Sequence, residues 1–316
     1  MKSKMHSKLW LLFAGVTTIF WGIWGALIEI PELAGFPPTL SYVVWSLTMI
    51  PPALVALWLI GWKLDFRLKP ALMGLTVGFT GAGGQLVLFH AVSEGPAYLV
   101  FPFVSLSPVV TILLSFILLR ERARILGWIG IAIALVAIPL LSYTPPGNAI
   151  VDGYGWVILA LFVFLAWGFQ AYVIKFANQS MKAENIFFYM MLTGLLLAPV
   201  AIFMTDFNQP INWGFAGPGA AALIQVMNAI GALFLVYAFR YGKAMVVSPL
   251  CNAVAPVITV VLSLVIYAVI PHFITILGMI MAIIATFFLS MEEDDPDPVV
   301  QQQKSEELLE HASGNQ

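Results

Sequence analysis

The sequence predicts an all-helical membrane protein of ten transmembrane helices, arranged as two inverted repeats of five helices each. The chain of 316 residues is 61% hydrophobic and 9% charged, whereas soluble proteins carry about 25% charged residues. Its apolar residues fall into ten stretches of roughly the 20 residues that cross a bilayer. Residues 88–102 also return in similar form at 235–249, which indicates an internal duplication.

Each apolar stretch is predicted to be a helix, because none shows the two-residue alternation of a membrane barrel strand. The first follows Lys2, Lys4 and Lys8, as a signal peptide would. Its apolar run is too long for one and no small-residue cleavage site follows, so we predict a retained first helix. The ten predicted spans are 9–29, 39–61, 70–91, 96–119, 125–142, 154–177, 185–204, 216–240, 246–269 and 272–290.

The basic residues predict the orientation of these spans. All 14 lysines and arginines precede span 1, follow spans 2, 4, 6 or 8, or lie after span 10. Because basic residues concentrate in cytoplasmic loops, both termini are predicted to be cytoplasmic, in a multi-pass protein of the cell (inner) membrane. Five is an odd number of spans, so the second repeat must enter the membrane from the opposite side. The repeats are therefore predicted to be inverted.

This topology divides the chain into five parts. Residues 1–8 form a cytoplasmic N-terminus, 9–142 the first repeat, 143–153 an extracytoplasmic connection and 154–290 the second repeat. Residues 291–316 are polar and acidic with two prolines, so they are predicted to be a disordered cytoplasmic tail.

Prolines fall inside two equivalent spans. Span 4 carries Pro96, Pro102 and Pro108, and span 9 carries Pro249 and Pro256. Proline removes a backbone hydrogen bond and disturbs the preceding turn, and matching interruptions in two halves of a carrier indicate a central binding site. The alternative is simple bending of the helices for packing.

Polar and tryptophan side chains at membrane depth supply the candidate substrate cavity. Polar groups in hydrocarbon are costly and tend to face the protein interior. Amides both donate and accept hydrogen bonds, which suits a neutral or zwitterionic solute. Interhelical bonding and core packing are the alternatives. The candidates are Trp21, Trp24, Gln85, Ser105, Trp167, Gln170, Gln225, Asn228 and Asn252.

Three ionisable residues lie near the predicted outer face. Glu29 ends span 1, and His90 and Glu94 are four residues apart at the end of span 3, so on a continuous helix they share a face and can pair. They are candidates for proton coupling or an outer gate, with ordinary residues of a wet interface as the alternative. Lys175 and Arg240 are expected to extend to the cytoplasmic interface.

Motifs for other function classes are missing. Cys251 is the single cysteine, which excludes an intrachain disulfide and offers no metal site. The sequence has no P-loop, HExxH or GxSxG motif, so we expect neither an enzyme nor a cofactor, and nothing in it indicates nucleic-acid binding.

Residues 107–142 and their partner 255–290, with the Trp-Gly pairs at 21–22 and 167–168, resemble the EamA group of the drug/metabolite transporter superfamily. The resemblance implies a basket-like bundle, alternating access, and a cavity lined by spans 1, 3, 4, 6, 8 and 9. Glu121 matches the family's glutamate after span 4, whereas Val269 stands at the equivalent place in the second repeat.

The predicted function is secondary transport of a small organic metabolite, such as an amino acid, a sugar or a related solute, across the lipid bilayer. Its own gradient, a proton gradient or exchange would drive the flux. The alternative is a membrane receptor or scaffold that recruits partners through its acidic C-terminal tail.

Overall fold

The computed structural model describes residues 8–94, 97–143, 155–267 and 270–292, and every regular element in them is a helix. Residues 144–153 of the predicted connection and the tail beyond Glu292 lie outside this part of the chain. The first half contains α1 (Leu9–Leu27), α2 (Glu29–Leu33), α3 (Pro38–Thr48), α4 (Ile50–Leu59), α5 (Leu68–Glu94), α6 (Ala97–Ser105), α7 (Pro108–Ile117) and α8 (Ile125–Leu141). The second half contains α9 (Gly155–Ala177), α10 (Ala183–Phe203), a π-helical turn (Phe215–Gly219), α11 (Ala220–Tyr241), α12 (Ala244–Tyr267) and α13 (Phe273–Leu289).

The all-helical class is confirmed, and helices occupy each of the ten predicted spans. Seven segments are long and apolar enough to cross a bilayer: Leu9–Leu33, Pro38–Leu59, Leu68–Ala91, Gly155–Ala177, Ala183–Phe203, Phe215–Tyr241 and Ala244–Ile266. Three apolar helices are shorter: Phe103–Ile117, Ile125–Leu141 and Phe273–Leu289. The count of ten crossings and the inverted arrangement therefore stay predictions.

Predicted span 4 is interrupted, as its prolines indicated. α6 ends at Ser105 and α7 begins at Pro108. Pro108 has no N–H to give to the Val104 carbonyl four residues back. That carbonyl accepts instead from the backbone N–H of Ser107 at 3.0 Å. The tighter turn ends one helix and lets the next begin with a proline in its first turn, where the missing donor costs little.

The prediction of a matching interruption in span 9 was wrong. α12 runs without a break through Pro249 and Pro256. Residues 244–251 are all buried, so neighbouring helices enclose this part of α12 on every side. Packing of this kind holds a helix together against an unfavourable local sequence, because most helix stability in proteins comes from tertiary contacts.

The two halves pack against each other through equivalent helices. α1 packs on α11 and α12 of the second half, and α9 packs on α5 and on α6 and α7 of the first. Glycines make the closest contacts, because a glycine at the interface has no side chain and lets the neighbouring helix approach. Gly22 abuts Ile258 of α12, and the equivalent Gly168 abuts Val110 of α7.

One end of the bundle carries the described basic loops, and we call it the basic end. Lys8 bonds the Ser290 carbonyl there, Arg67 bonds that of Ser180, and Lys243 pairs with Glu292. At the other end the backbone N–H of Asn212 donates to the Gly35 carbonyl at 3.0 Å. The loops thus separate into two groups, as the count of basic residues predicted.

Candidate functional site

Two predicted tryptophans lie against α11. The indole Nε1–H of Trp24 donates to Oε1 of Gln225 at 3.0 Å, and that of Trp21 donates to the Asn228 carbonyl at 3.3 Å. The Trp21 ring fits closely over Gly231, where a methyl group would collide with it. The structure therefore brings four of the predicted cavity residues together at the interface of α1 and α11.

A second group forms where α9 meets α5. The indole Nε1–H of Trp167 donates to the Gly81 carbonyl at 3.2 Å, and its ring lies over Gly84. The Gln170 side chain packs directly on Gly81. Gln85 follows Gly81 by one helical turn and so lies on the same face of α5. Trp167, Gln170 and Gln85 thus form a second cluster of predicted cavity residues.

The two interfaces are equivalent under the duplication. Trp21 corresponds to Trp167, and Asn228 corresponds to Gly81. Each tryptophan donates to a carbonyl of the other repeat, so the two hydrogen bonds are reciprocal. We call α1, α11 and α12 the first wing, and α9, α5, α6 and α7 the second wing.

Two threonine hydroxyls form a second pair of reciprocal hydrogen bonds between the repeats. Thr259 of α12 donates to the Gly22 carbonyl at 3.1 Å, and Thr111 of α7 donates to the Gly168 carbonyl at 3.0 Å. These threonines are themselves equivalent. The Thr111 hydroxyl also lies 3.4 Å from that of Ser248 in α12, which connects the two wings.

The remaining predicted cavity residues belong to α6 and α12. Ser105 is half-buried and ends α6, immediately before the break. Asn252 of α12 is half-buried and donates from Nδ2 to the Ser248 carbonyl at 2.9 Å. Its Oδ1 is left as an acceptor.

Three interior amides are not engaged by the protein. Gln85, Gln170 and Asn228 are half-buried, and within the described part of the chain no hydrogen bond involves their side chains. The bonds at Trp21 and Trp167 show that these two indoles hold helices together and cannot use the same N–H for a solute. The amides are therefore the groups best placed to recognise one.

The predicted pair at the end of α5 is formed. α5 continues to Glu94, and Nε2 of His90 lies 3.0 Å from Oε1 of Glu94. The two side chains remain 56% and 43% exposed, respectively, so the pair is in a solvent-accessible position. Glu29 is exposed and begins α2, which packs against α11 and the π-helical turn rather than against α5.

At the basic end, Lys175 and Arg240 correct the sequence prediction. Both are buried rather than extended to the interface. Nζ of Lys175 donates to the Gly242 carbonyl at 2.8 Å, and Nη1 of Arg240 donates to the Met181 carbonyl at 3.2 Å. Each cation lies in the last turn of its own helix, where positive charge is favourable, and bonds a backbone carbonyl outside that helix. Hydropathy could not reveal these partners, because a carbonyl has no side-chain signature.

Glu121 joins the two repeats at the same end. Its carboxylate is buried and accepts from the backbone N–H groups of Ala244 and Met245, each at 3.0 Å. These are the first two residues of α12, whose N–H groups lack helical partners. Negative charge at a helix N-terminus is also favourable. The equivalent Val269 lies outside the described residues and has no carboxylate to offer.

Glu292 makes a similar contact. It is buried, accepts from the backbone N–H of Arg124 and pairs with Lys243 at 2.9 Å. Arg124 immediately precedes α8. The first residues of the predicted tail therefore pack on the bundle.

Comparison with known proteins agrees with this architecture. The model of the EamA-like transporter family matches the chain twice, over residues 8–143 and 154–291. Protein RarD of Streptomyces exfoliatus is 24% identical over 264 residues, covering 79% of this chain and 76% of RarD. Protein LicB of Haemophilus influenzae is 24% identical over 184 residues, covering 56% of this chain and 61% of LicB. A protein crystal structure superimposes with a TM-score of 0.72 at 16% identity, covering 88% of this chain and 98% of the other, which supports the fold.

Proposed function

Because the chain belongs to the EamA-like transporter family of the drug/metabolite transporter superfamily, it is a multi-pass membrane transporter, and we propose that it carries a small neutral or zwitterionic metabolite by alternating access. Amino acids, sugars and related solutes belong to this class. The reciprocal bonds of Trp21 and Trp167 are the observation that carries the proposal. They join each wing across the repeats, so the wings can move as units around a site between them.

The chemistry of the interior supports this substrate class. Gln85, Gln170 and Asn228 present unengaged donors and acceptors, and Asn252 retains a free acceptor. The candidate cavity residues are amides, one hydroxyl and indoles, and none is ionisable. A solute with net charge would have to enter a low-dielectric interior without a counter-ion, which is unfavourable. A neutral or zwitterionic solute can exchange its water hydrogen bonds for those of the amides.

The proposed topology has ten spans, inverted repeats and both termini in the cytoplasm of a cell (inner) membrane. Two observations support it. The basic residues segregate to alternate loops, and the described loops of each group contact one another. The wings exchange equivalent contacts, as two copies related by a twofold axis would. The basic end then faces the cytoplasm.

Uptake into proteoliposomes tests the transport proposal. Purified protein is reconstituted, and labelled amino acids, sugars and other neutral metabolites are presented with and without a pH gradient. We expect saturable uptake of at least one of them, inhibited by excess unlabelled solute. Empty liposomes are the control. Saturable flux confined to solutes with net charge would contradict the proposed substrate class.

We also propose that His90 and Glu94 take part in coupling to protons. Their side chains lie 3.0 Å apart and are solvent-accessible, and histidine is a common proton shuttle in proteins. His90→Gln should remove the effect of a pH gradient on uptake while leaving exchange of labelled for unlabelled solute at equal pH intact. His6→Gln, in the N-terminal segment, is the matched control. An unchanged response to the gradient in His90→Gln would remove this pair from the mechanism.

A further inference from the structure

A separate groove opens between α5 and α9 at the basic end. Its volume is about 630 Å³. α5 contributes Lys69, Leu72 and Thr76 to the walls, and α9 contributes Phe169, Tyr172 and Phe176. A cavity of this size is within the range that holds a small organic ligand or part of a larger one.

The groove faces away from the candidate substrate cavity. Thr76 precedes Gln85 by nine residues, and Phe176 follows Trp167 by nine. Nine residues are two and a half helical turns, so the members of each pair lie on opposite faces of their helix. Along α9 the groove continues an exposed apolar stripe, with 43%, 48% and 39% exposure at Leu161, Leu165 and Phe169. In a membrane protein such a stripe contacts hydrocarbon, so the groove opens to the lipid.

The inner walls suit a hydrocarbon chain. The Phe169 and Tyr172 rings are 5.9 Å apart between centroids, and the Tyr172 and Phe176 rings are 6.2 Å apart and nearly parallel. The Thr76 hydroxyl donates to the Leu72 carbonyl at 2.8 Å, so it is occupied within its own helix. Apart from the Tyr172 hydroxyl, these walls offer an occupant dispersion contacts and burial of apolar surface.

The mouth of the groove suits an anion. Lys69 is exposed, and its Nζ lies 6.0 Å from the centroid of the Phe176 ring. No carboxylate among the described residues pairs with it. A lysine beside an apolar groove, at the level of the membrane surface, matches an amphiphile with a negative headgroup.

We propose that this groove binds an anionic phospholipid of the cytoplasmic leaflet, with an acyl chain along the aromatic face of α9 and the headgroup phosphate at Lys69. The assignment to that leaflet rests on the topology in the proposed function. The anionic charge of the cytoplasmic leaflet favours this occupant.

Photolabelling of the full chain tests the site. The protein is reconstituted in phosphatidylcholine vesicles with phosphatidylglycerol that carries a diazirine in its acyl chain, and the labelled peptides are mapped. We expect labelling within residues 68–76 and 169–176. Lys69→Glu should lower it at least fivefold, because losing one basic residue at an anionic surface alone costs about 1 kcal/mol. Leu72→Trp, at an exposed position, should lower it by filling the groove with the charge unchanged.

Lys63→Glu is the matched control, because Lys63 is exposed at the same end and does not line the groove. Its labelling should equal that of the unmodified protein. Three outcomes would overturn the proposal: equal labelling by a diazirine phosphatidylcholine, equal labelling of Lys69→Glu and Lys63→Glu, or no labelling in these two helices. Labelling is measured without flux, so a failure of transport alongside intact labelling would count against the proposed function alone.

Discussion

At the scale of single residues, the unengaged amides distinguish the interior from an ordinary helical core. Buried polar groups in proteins are almost always paired, and one left unpaired costs about 1–3 kcal/mol. Gln85, Gln170 and Asn228 are half-buried with free side-chain amides in the described part of the chain. Their arrangement is typical of a binding site that is filled by water when no solute is bound.

Replacing Gln85 by Leu should therefore separate binding from stability. The change keeps the approximate size of the side chain and removes only an amide that the protein does not use. We expect the KM for the transported solute to rise about tenfold, as loss of one hydrogen bond worth about 1.4 kcal/mol implies, with the melting temperature unchanged or raised. Concentration-dependent uptake and thermal unfolding in detergent measure the two effects. Gln179→Leu, in an exposed loop, should alter neither, and an unchanged KM in Gln85→Leu would remove this residue from the site.

At the basic end, the carboxylate of Glu121 accepts hydrogen bonds from two backbone N–H groups of α12. Glu121→Ala should free the start of this helix and weaken the contact between the two repeats at the basic end by about 1–3 kcal/mol. Cys251, the single cysteine, is fully buried in α12, about two helical turns after Ala244. The rate at which a reagent modifies this thiol therefore measures how readily the basic end opens to solvent.

We expect a small maleimide to modify Cys251 at least tenfold faster in Glu121→Ala than in the unmodified protein. Glu32→Ala, at an exposed position of α2, is the control and should leave the rate unchanged. Mass spectrometry of timed samples measures it. Equal rates in all three proteins would show that Glu121 does not hold this end closed.

At the scale of helices, glycine positions determine which faces approach. Gly22 of α1 abuts Ile258, and Gly168 of α9 abuts Val110. The space around Gly15, also in α1, is open. The same substitution should therefore have opposite effects at two positions of one helix.

Gly22→Ala and Gly168→Ala should each lower stability by about 1–3 kcal/mol, because an added methyl group overpacks the contact. Gly15→Ala should leave it unchanged or raise it by up to about 1 kcal/mol, since alanine favours a helix more than glycine does. Thermal unfolding of the three variants in one detergent compares them. Similar losses at all three positions would mean that glycine acts through helix propensity and not through packing.

The same scale shows how far the sequence could predict the fold. Apolar length located the long helices but not the short α2 or the division of predicted span 2 into α3 and α4, and Pro108 located a real break. Pro249 and Pro256 did not break α12, because packing around its first half outweighs local preference, and packing is not visible in one helix's sequence. For the candidate site, residue type identified the polar and tryptophan positions. Their partners, such as the carbonyls of Gly81 and Asn228, became visible only once the helices were placed together.

At the scale of the whole molecule, the proposed topology makes a prediction for each loop. Replacing Cys251 by Ser gives a background without cysteine. In it, Asn208→Cys should react with a membrane-impermeant maleimide in intact cells, and Lys182→Cys should react only after the membrane is opened. Both positions are exposed, so access to the reagent decides the result. Reaction of Lys182→Cys in intact cells would contradict ten spans with cytoplasmic termini.

The contrast between Glu121 and Val269 has a consequence for measurements made from the two sides of the membrane. A carrier that rests mainly with its cytoplasmic end closed binds internal solute only during the fraction of time that this end is open, and its apparent dissociation constant there is divided by that fraction. The half-saturation concentrations for entry and exit should then differ, although both describe the same set of binding residues. The ratio between these concentrations measures how strongly the Glu121 carboxylate at the α12 N-terminus shifts the empty carrier towards the state in which this end is closed.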